Sequence, residues 1–186
     1  LFLSRIYTQK AYFFPDKALQ YANSGLQIDP NNKDLKYFKA RALYAKAQSA
    51  IQKKENPNPF LEESTKHLDD IIENQQGLGT NIYWIYNQRG LNQYLEGNYK
   101  QAIASYETAI KLLPTENSAT INIANAKMKY AETLIDNYNI AAECNKEEIK
   151  IATQYLNSLR DKKDTNLEKI INNRLQSLKN ISKKCK

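Results

Sequence analysis

Apolar residues recur at intervals of three and four along two consecutive stretches between residues 83 and 116. This spacing places the apolar side chains on one face of a helix. The first stretch ends at Gly97-Asn98 and the second at Pro114, residue types that form turns or end helices. We therefore predict two helices joined by a short turn. Their apolar positions are Trp84, Leu91, Tyr94 and Leu95, followed by Ala102, Ile103, Tyr106, Ala109, Ile110 and Leu113.

Small residues lie within these two predicted helices and in the turn between them. Gly90 and Ala102 are mid-helix, where a missing or short side chain lets two helix backbones approach closely. Gly97 supplies the permissive backbone of a tight turn. Tyr99 and Tyr106 are large enough to fill the space that the small residues leave. The pattern predicts a closely packed helix pair.

This arrangement resembles a tetratricopeptide repeat, a helix–turn–helix unit of about 34 residues. The segment departs from the family pattern at Tyr86, Arg89 and Gln93, and it carries an aromatic ring one residue late, at Tyr94. A generic antiparallel helix pair is the alternative interpretation. The residues that carry the resemblance, at the family's mutual spacings, are Gly90, Gly97, Tyr99, Ala102, Tyr106, Ala109 and Pro114.

The same register, extended along the chain, predicts a single all-α domain over residues 1–186. We expect an α-α superhelix (a tetratricopeptide-like solenoid) of about three to four helix pairs, closed by long C-terminal capping helices. The expected units are a partial repeat at 1–30, a repeat with extended helices at 33–76, the best-matching repeat at 83–116, a second extended repeat at 117–160 and a capping helix at 164–183.

Two of these units are expected to contain helices longer than the family norm. Helical periodicity continues without a break through residues 48–53 and 132–135. In the later unit the turn is expected at residues 136–138, followed by a helix that runs to about Leu159. Thr165 and Glu168 have the spacing of a capping box and predict the start of the last helix.

The resemblance implies a protein-binding function. Members of the family bind extended peptides or partner helices in a concave groove lined by the first helix of each pair. A surface that mixes Trp, Tyr, Arg and Asn has the composition of an interaction hot spot. The alternative for any one residue is packing against the long inserted helices. Carried over by position, the groove residues are Tyr37, Arg41, Tyr44, Trp84, Asn87, Gln88, Leu91, Tyr94, Ile121, Asn122, Asn125 and Lys129.

One specialised use of the groove is not expected here. Relatives that hold the acidic C-terminal tails of chaperones need Lys, Asn and Arg on successive first helices. The corresponding positions in this chain are Tyr37, Arg41, Gln88, Ser118 and Asn122. That clamp is therefore absent, and binding of a chaperone tail is not predicted.

Positive charge is concentrated at the C-terminal end. Residues 146–186 contain eleven Lys and Arg against five Asp and Glu, which accounts for +6 of the net charge of +7. Such a segment could bind nucleic acid or an anionic membrane surface. A solvated helix face is the favoured interpretation, because the basic residues are spread around the helices without interleaved aromatic residues. A structural, self-associating module is the third alternative.

The sequence does not predict an enzyme, a metal site or a cofactor. His67 is the only histidine, and no nucleophile or set of metal ligands surrounds it in the sequence, so a surface or half-buried position is expected. Cys144 and Cys185 are too few and too far apart for a zinc site. Cys144 is expected in the core and Cys185 at the surface. A disulfide between them is left open by the sequence.

The compartment is not determined by the sequence, and only weak indications bear on it. No run of 18 or more apolar residues is present. The first unit would begin before Leu1, so we expect a cropped or processed chain whose leader, if any, lies upstream. The abundance of Lys, Asn, Ile and Tyr suggests a bacterial protein, with a weak preference for the periplasm or cell envelope over the cytoplasm. An envelope or secretion-related complex is the expected context.

Overall fold

The computed structural model describes residues 14–76, 81–142, 144–160 and 164–185. This part of the chain is all-α, with eight helices and no β-strand. The expected first helix near residues 1–7 lies outside the described residues. The helices are α1 Pro15–Ile28, α2 Lys33–Gln52, α3 Asn58–Glu73, α4 Ile82–Leu95, α5 Tyr99–Leu112, α6 Ser118–Ala141, α7 Lys146–Ser158 and α8 Thr165–Lys184.

Each helix packs mainly against the next helix in the chain, which is the contact pattern of a helical repeat array. In addition, α2 contacts α4 and α4 contacts α6, so the first helices of successive pairs lie side by side. At the C-terminal end, α8 packs against both α6 and α7. The prediction of an all-α helical repeat is confirmed, and α2, α4 and α6 are the helices that carry the predicted groove residues.

The contact between α4 and α5 is built around Gly90. A Cβ atom at this position would lie 2.4 Å from the Cε1 atom of the Tyr106 ring. Tyr106 is only 1% exposed and packs with Ala102, Ile103 and other buried residues. The two helices can therefore approach this closely only because position 90 has no side chain. The predicted role of the small residue is confirmed.

The turn between α4 and α5 also follows the sequence pattern. Gly97 has a φ angle of +79°, in the left-handed region that favours glycine. The backbone N–H of Asn98 donates to the carbonyl of Gln93 at 2.8 Å, which closes the end of α4. The chain then enters α5 at Tyr99, whose ring lies edge-on against Tyr94 with 5.4 Å between the ring centroids.

Helices α2 and α6 are long, as predicted, but the turn expected at residues 136–138 is absent, and the helix expected to run from it to about Leu159 begins only at Lys146. Helix α2 is continuous to Gln52, and α6 is continuous through residues 132–135 and on to Ala141. The turn expected at residues 136–138 is therefore wrong. Asp136 and Asn137 lie on the exposed face of α6, while Leu134, Ile135 and Tyr138 pack against the C-terminal core. Tertiary packing on one face keeps the helix intact where the polar sequence alone suggested a break.

The break comes instead between α6 and α7. Ala142 adopts a left-handed conformation at the end of α6. The side chain of Asn145 then accepts hydrogen bonds from the backbone N–H groups of Glu147 and Glu148, and so caps the start of α7. Helix α6 thus belongs to two cores: Ala119, Ile123 and Ala126 to the central one, and Tyr130 with Ala131 to the C-terminal one.

The start and end of α8 also differ from the expectation. Its cap is Asp164, whose carboxylate accepts a hydrogen bond from the N–H of Leu167 at 2.9 Å, and not Thr165. Beyond its last turn, Cys185 is 7% exposed and forms a disulfide with Cys144. Cys144 is exposed and Cys185 is buried, the reverse of the prediction. The two Cα atoms are 5.9 Å apart, so the bridge ties the end of α8 to the α6–α7 connection.

Candidate functional site

An open groove of about 470 Å³ lies along the line of α2, α4 and α6. Helix α2 contributes two residues, α4 contributes four, and α6 contributes its first residue. Helical spacing explains the set, since residues three and four apart share one face of a helix. The lining residues are Tyr37, Arg41, Trp84, Asn87, Gln88, Leu91 and Ser118. The structure therefore brings six of the twelve predicted groove residues into one pocket and adds Ser118 to them.

Trp84 is the large aromatic residue at this surface. It is 38% exposed, although it is part of a packed helix. Its indole lies edge-on against the Tyr83 ring, with 4.9 Å between centroids. Tyr83 is fully buried, and its hydroxyl accepts a hydrogen bond from the N–H of Ala119 at 2.9 Å. Trp84 is thus supported by a ring that is itself fixed between α4 and α6.

The floor of the groove is made of amides. Asn87 and Gln88 are 7% and 3% exposed. The Asn87 Oδ1 atom accepts a hydrogen bond from Asn122 Nδ2 of α6 at 3.0 Å, and Gln88 Nε2 donates to Asn92 Oδ1 at 3.4 Å. Because buried amides need such partners, these contacts fix the two side chains, and the bond between Asn87 and Asn122 also fixes the spacing of α4 and α6.

The groove has one basic side chain, at its α2 edge. The Arg41 guanidinium lies over the Tyr37 ring at 5.9 Å from its centroid, close enough for a cation–π interaction. At the opposite edge, the Ser118 hydroxyl and N–H donate to Glu116 Oε1 at 2.8 and 3.2 Å. These hydrogen bonds lower the pKa of the Glu116 carboxyl. The groove therefore has an arginine at one edge and an ionised carboxylate just outside the other.

Residues 83–116 match the family model of the tetratricopeptide repeat. Residues 83–116 therefore form a tetratricopeptide-like repeat. Its two helices are α4 and α5, and its first helix supplies Trp84, Asn87, Gln88 and Leu91 to the groove. No curated protein and no solved structure matches the chain.

The other predicted groove residues lie outside this pocket. Tyr44 is 5% exposed and packs with Ala47 and Leu61, so its ring belongs to the core and is not part of the groove surface. Ile121 and Asn125 are exposed on α6, and Asn122 supports the floor through Asn87.

Tyr94 and Lys129 lie nearer the other end of the tetratricopeptide repeat. Lys129 Nζ pairs with Glu132 at 2.6 Å, and Tyr94 packs edge-on against Tyr99. Burial, and then the neighbouring Tyr99, raises the pKa of Tyr94. Tyr94 is therefore a half-buried ring at the edge of the repeat and does not contribute to the pocket beside Trp84.

Two departures from the family pattern are explained by a polar network that joins the tetratricopeptide repeat to α3. Arg89 Nε donates to Asp69 Oδ1 of α3 at 2.7 Å, and its Nη1 atom donates to Ser105 Oγ at 3.3 Å. The Ser105 hydroxyl in turn donates to Gln93 Oε1 at 2.7 Å. Arg89 and Gln93 therefore both form hydrogen bonds with the Ser105 hydroxyl.

A second buried contact joins the repeat to α3. Asn92 Nδ2 donates to Ser64 Oγ at 2.8 Å and to Thr65 Oγ1 at 3.0 Å, and Ser64 Oγ donates to the Ala40 carbonyl at 2.8 Å. Sequence reasoning missed both networks and the pocket role of Ser118. The available signal was the cluster of polar residues inside an otherwise apolar helix pattern, at Arg89, Asn92 and Gln93.

The described residues contain no group of three or more His, Cys, Asp or Glu side chains that could hold a metal ion. His67 is half-buried, and its Nε2 atom lies 3.9 Å from Glu63. Burial, followed by the charge of Lys39, lowers the pKa of His67 despite this carboxylate. Among the described residues, none of the helices is long and apolar enough to cross a membrane.

Proposed function

We propose that the chain is a protein-interaction module that binds a segment of another protein in the groove between α2, α4 and α6. The observation that carries this proposal is the exposed Trp84 beside Arg41 and Tyr37, above a floor of fixed amides, in a tetratricopeptide repeat. Proteins with such repeats generally bind other proteins. Tryptophan, tyrosine and arginine are the side chains most enriched at binding hot spots.

The groove favours a short peptide or one face of a helix as its ligand. A volume of about 470 Å³ is within the range of small binding pockets and holds a few side chains. Its floor residues are held by hydrogen bonds before any ligand binds, which lowers the cost of ordering on binding. With Arg41 as its one basic lining residue, the groove is poorly suited to a strongly acidic tail. The ligand we propose is mixed, with an apolar or aromatic side chain against Trp84.

We further propose that the module works in a bacterial envelope or secretion-related complex. The disulfide between Cys144 and Cys185 supports an oxidising compartment, because such bonds are rare in reducing cytosol. The bacterial origin rests on the Lys, Asn, Ile and Tyr content alone. The role we propose is binding without catalysis.

The test compares partners captured by the wild-type domain with those captured by Trp84→Ala and Arg41→Ala. Ile140→Ala is the matched control, since Ile140 is 85% exposed and lies outside the groove. Partners that the wild type and Ile140→Ala retain, and both groove variants lose, support the proposal. Helicity measured by circular dichroism confirms that each variant is folded. Because Trp84 is the only tryptophan, its fluorescence reports a titration with any captured partner.

Charge reversal at the C-terminal end separates the groove from the basic tail. Lys183→Glu combined with Lys184→Glu should leave capture of the groove partners unchanged. If binding survives both groove substitutions but disappears on tail reversal or in moderate salt, the tail is the binding surface and the groove proposal is wrong.

A further inference from the structure

A second groove, of about 530 Å³, lies between α7 and α8 at the C-terminal end of the array. It is separate from the groove on α2, α4 and α6, and it shares no residue with it. Its lining residues are Lys146, Ile149, Lys150, Thr153, Gln154 and Asn157 of α7 and Leu175, Leu178, Lys179, Ser182 and Lys183 of α8.

The two edges of this α7–α8 groove are basic. Lys146 and Lys150 lie on one edge, and Lys179 and Lys183 lie on the other. Within each edge the two lysines are four residues apart, which is about one helical turn or roughly 6 Å along the axis. No described acidic residue lines the groove. Glu147, next to it, lies 3.7 Å from Lys150, but both side chains are 66% exposed, so this pair is weak.

The space between the lysines is partly apolar. Ile149 and Leu178 are buried at its base, and Leu175 is half-buried between the two helices. The lysine methylene chains extend this apolar surface up the walls. A ligand that fits must therefore present an apolar strip along its centre and negative charge on both flanks.

A helix has this shape, and the fold shows how one packs. Helix α4 lies against both α2 and α3, and α6 lies against both α4 and α5. A helix in the α7–α8 groove would make the same kind of contact with two helices at once. Aspartate and glutamate on its flanks would face lysines one turn apart on each side.

We propose that the α7–α8 groove binds an amphipathic helix of a partner protein whose apolar strip is flanked by acidic residues. Charge complementarity and the apolar base favour this occupant over nucleic acid. The groove lining contains neither arginine, which binds phosphate with two parallel hydrogen bonds, nor an aromatic ring on which a base could stack.

The probe is a fluorescein-labelled helical peptide of about four turns, with leucine along one face and glutamate on both flanks. Two matched peptides replace glutamate with glutamine or leucine with serine. Fluorescence anisotropy at about 0.1 M ionic strength measures binding to the wild-type domain and to Lys146→Glu combined with Lys179→Glu, one change on each edge. The control is Lys17→Glu with Lys111→Glu, the same change of charge at exposed lysines of α1 and α5.

We expect the groove variant to bind the acidic peptide at least about tenfold more weakly, and the control variant within about twofold of the wild type. Both altered peptides should also bind the wild-type domain at least about tenfold more weakly than the acidic peptide does. Equal weakening by the groove and control variants would show a general charge effect and overturn the proposal.

Two further results would also overturn it. If the serine peptide binds as tightly as the leucine peptide, the apolar base contributes nothing and the groove does not select an amphipathic helix. The other result is displacement of the labelled peptide by single-stranded DNA, or by vesicles with anionic lipid, at a lower concentration than unlabelled peptide requires. If that competitor also fails to bind the Lys146→Glu, Lys179→Glu variant, the lysines bind a polyanion or a membrane surface.

Discussion

Replacing Gly90 with alanine should destabilise the domain, although the same change stabilises most helices. Alanine in a helix interior is favoured over glycine by about 1 kcal/mol. At Gly90, however, the new Cβ atom would lie 2.4 Å from Cε1 and 2.7 Å from Cδ1 of Tyr106. The Tyr106 ring is 1% exposed and is enclosed by the central core, so it cannot move away without displacing its neighbours.

The expected magnitude follows from two opposing effects. Overpacking of a filled core costs about 1–3 kcal/mol, and a contact as short as this one belongs at the upper end. Subtracting the helix preference of about 1 kcal/mol leaves a net loss of about 2 kcal/mol. For a domain of this size that loss lowers Tm by roughly 4–8 °C. Leucine at the same position should be more harmful, because it adds further atoms to the same contact.

Gly25→Ala provides the matched control for thermal and urea unfolding followed by circular dichroism. A Cβ atom there would meet a methyl carbon of Leu35 at 2.6 Å, but that methyl is the end of a flexible side chain. Gly25→Ala should therefore change Tm little. In a Tyr106→Ala background the clash at Gly90 is gone, so Gly90→Ala should become stabilising. Equal stability of Gly90→Ala and the wild type would refute this account of the α4–α5 contact.

Three further predictions follow from the contacts of other residues. Cys144→Ser, or reduction of the wild type with dithiothreitol, should lower the free energy of unfolding by about 4 kcal/mol, because the bridge closes a long loop in the unfolded chain; reductant should have no effect on the serine variant. Burial and Lys39 lower the pKa of His67 in the folded protein below its ordinary value of 6.5, so the unfolded chain takes up this proton first as the pH falls. The free energy of unfolding should therefore decrease below about pH 6.5. This decrease should be smaller in His67→Gln, while at higher pH the variant and the wild type should be nearly equally stable. Urea unfolding across this pH range measures both. Asn92→Ala should cost about 2 kcal/mol by urea unfolding, because it removes the buried amide that donates to the Ser64 and Thr65 hydroxyls and accepts from Gln88.

The central helix pair could be predicted from sequence because its information is local. Gly90, Gly97 and Tyr106 lie within one repeat, and their spacing alone predicts that Gly90 and Tyr106 are in contact. The continuity of α6 is a different case. Asp136 and Asn137 suggest a turn, and only the packing of Leu134 and Tyr138 against a core formed by distant residues keeps that segment helical.

The candidate site was predictable to the extent that it depends on helical spacing. Trp84, Gln88 and Leu91 follow from position within the repeat, whereas the burial of Tyr44 depends on Leu61 of the next helix. The pairing of Cys144 with Cys185 required the approach of two chain segments that sequence separation does not reveal. Within the candidate site, positions that follow from spacing along one helix were therefore placed well, and positions that depend on packing against another helix were not.

The length of α6 has a consequence for cooperativity. Its 24 residues extend about 36 Å, and its two halves lie in different cores with no break between them. In a linear array, each unit is coupled to the next only through their shared interface, so terminal units can melt separately. Here the coupling runs through one backbone, because the C-terminal unit cannot melt alone without interrupting a ladder of helical hydrogen bonds. Amide protons near residues 126–131 should therefore exchange with solvent only when the whole domain unfolds.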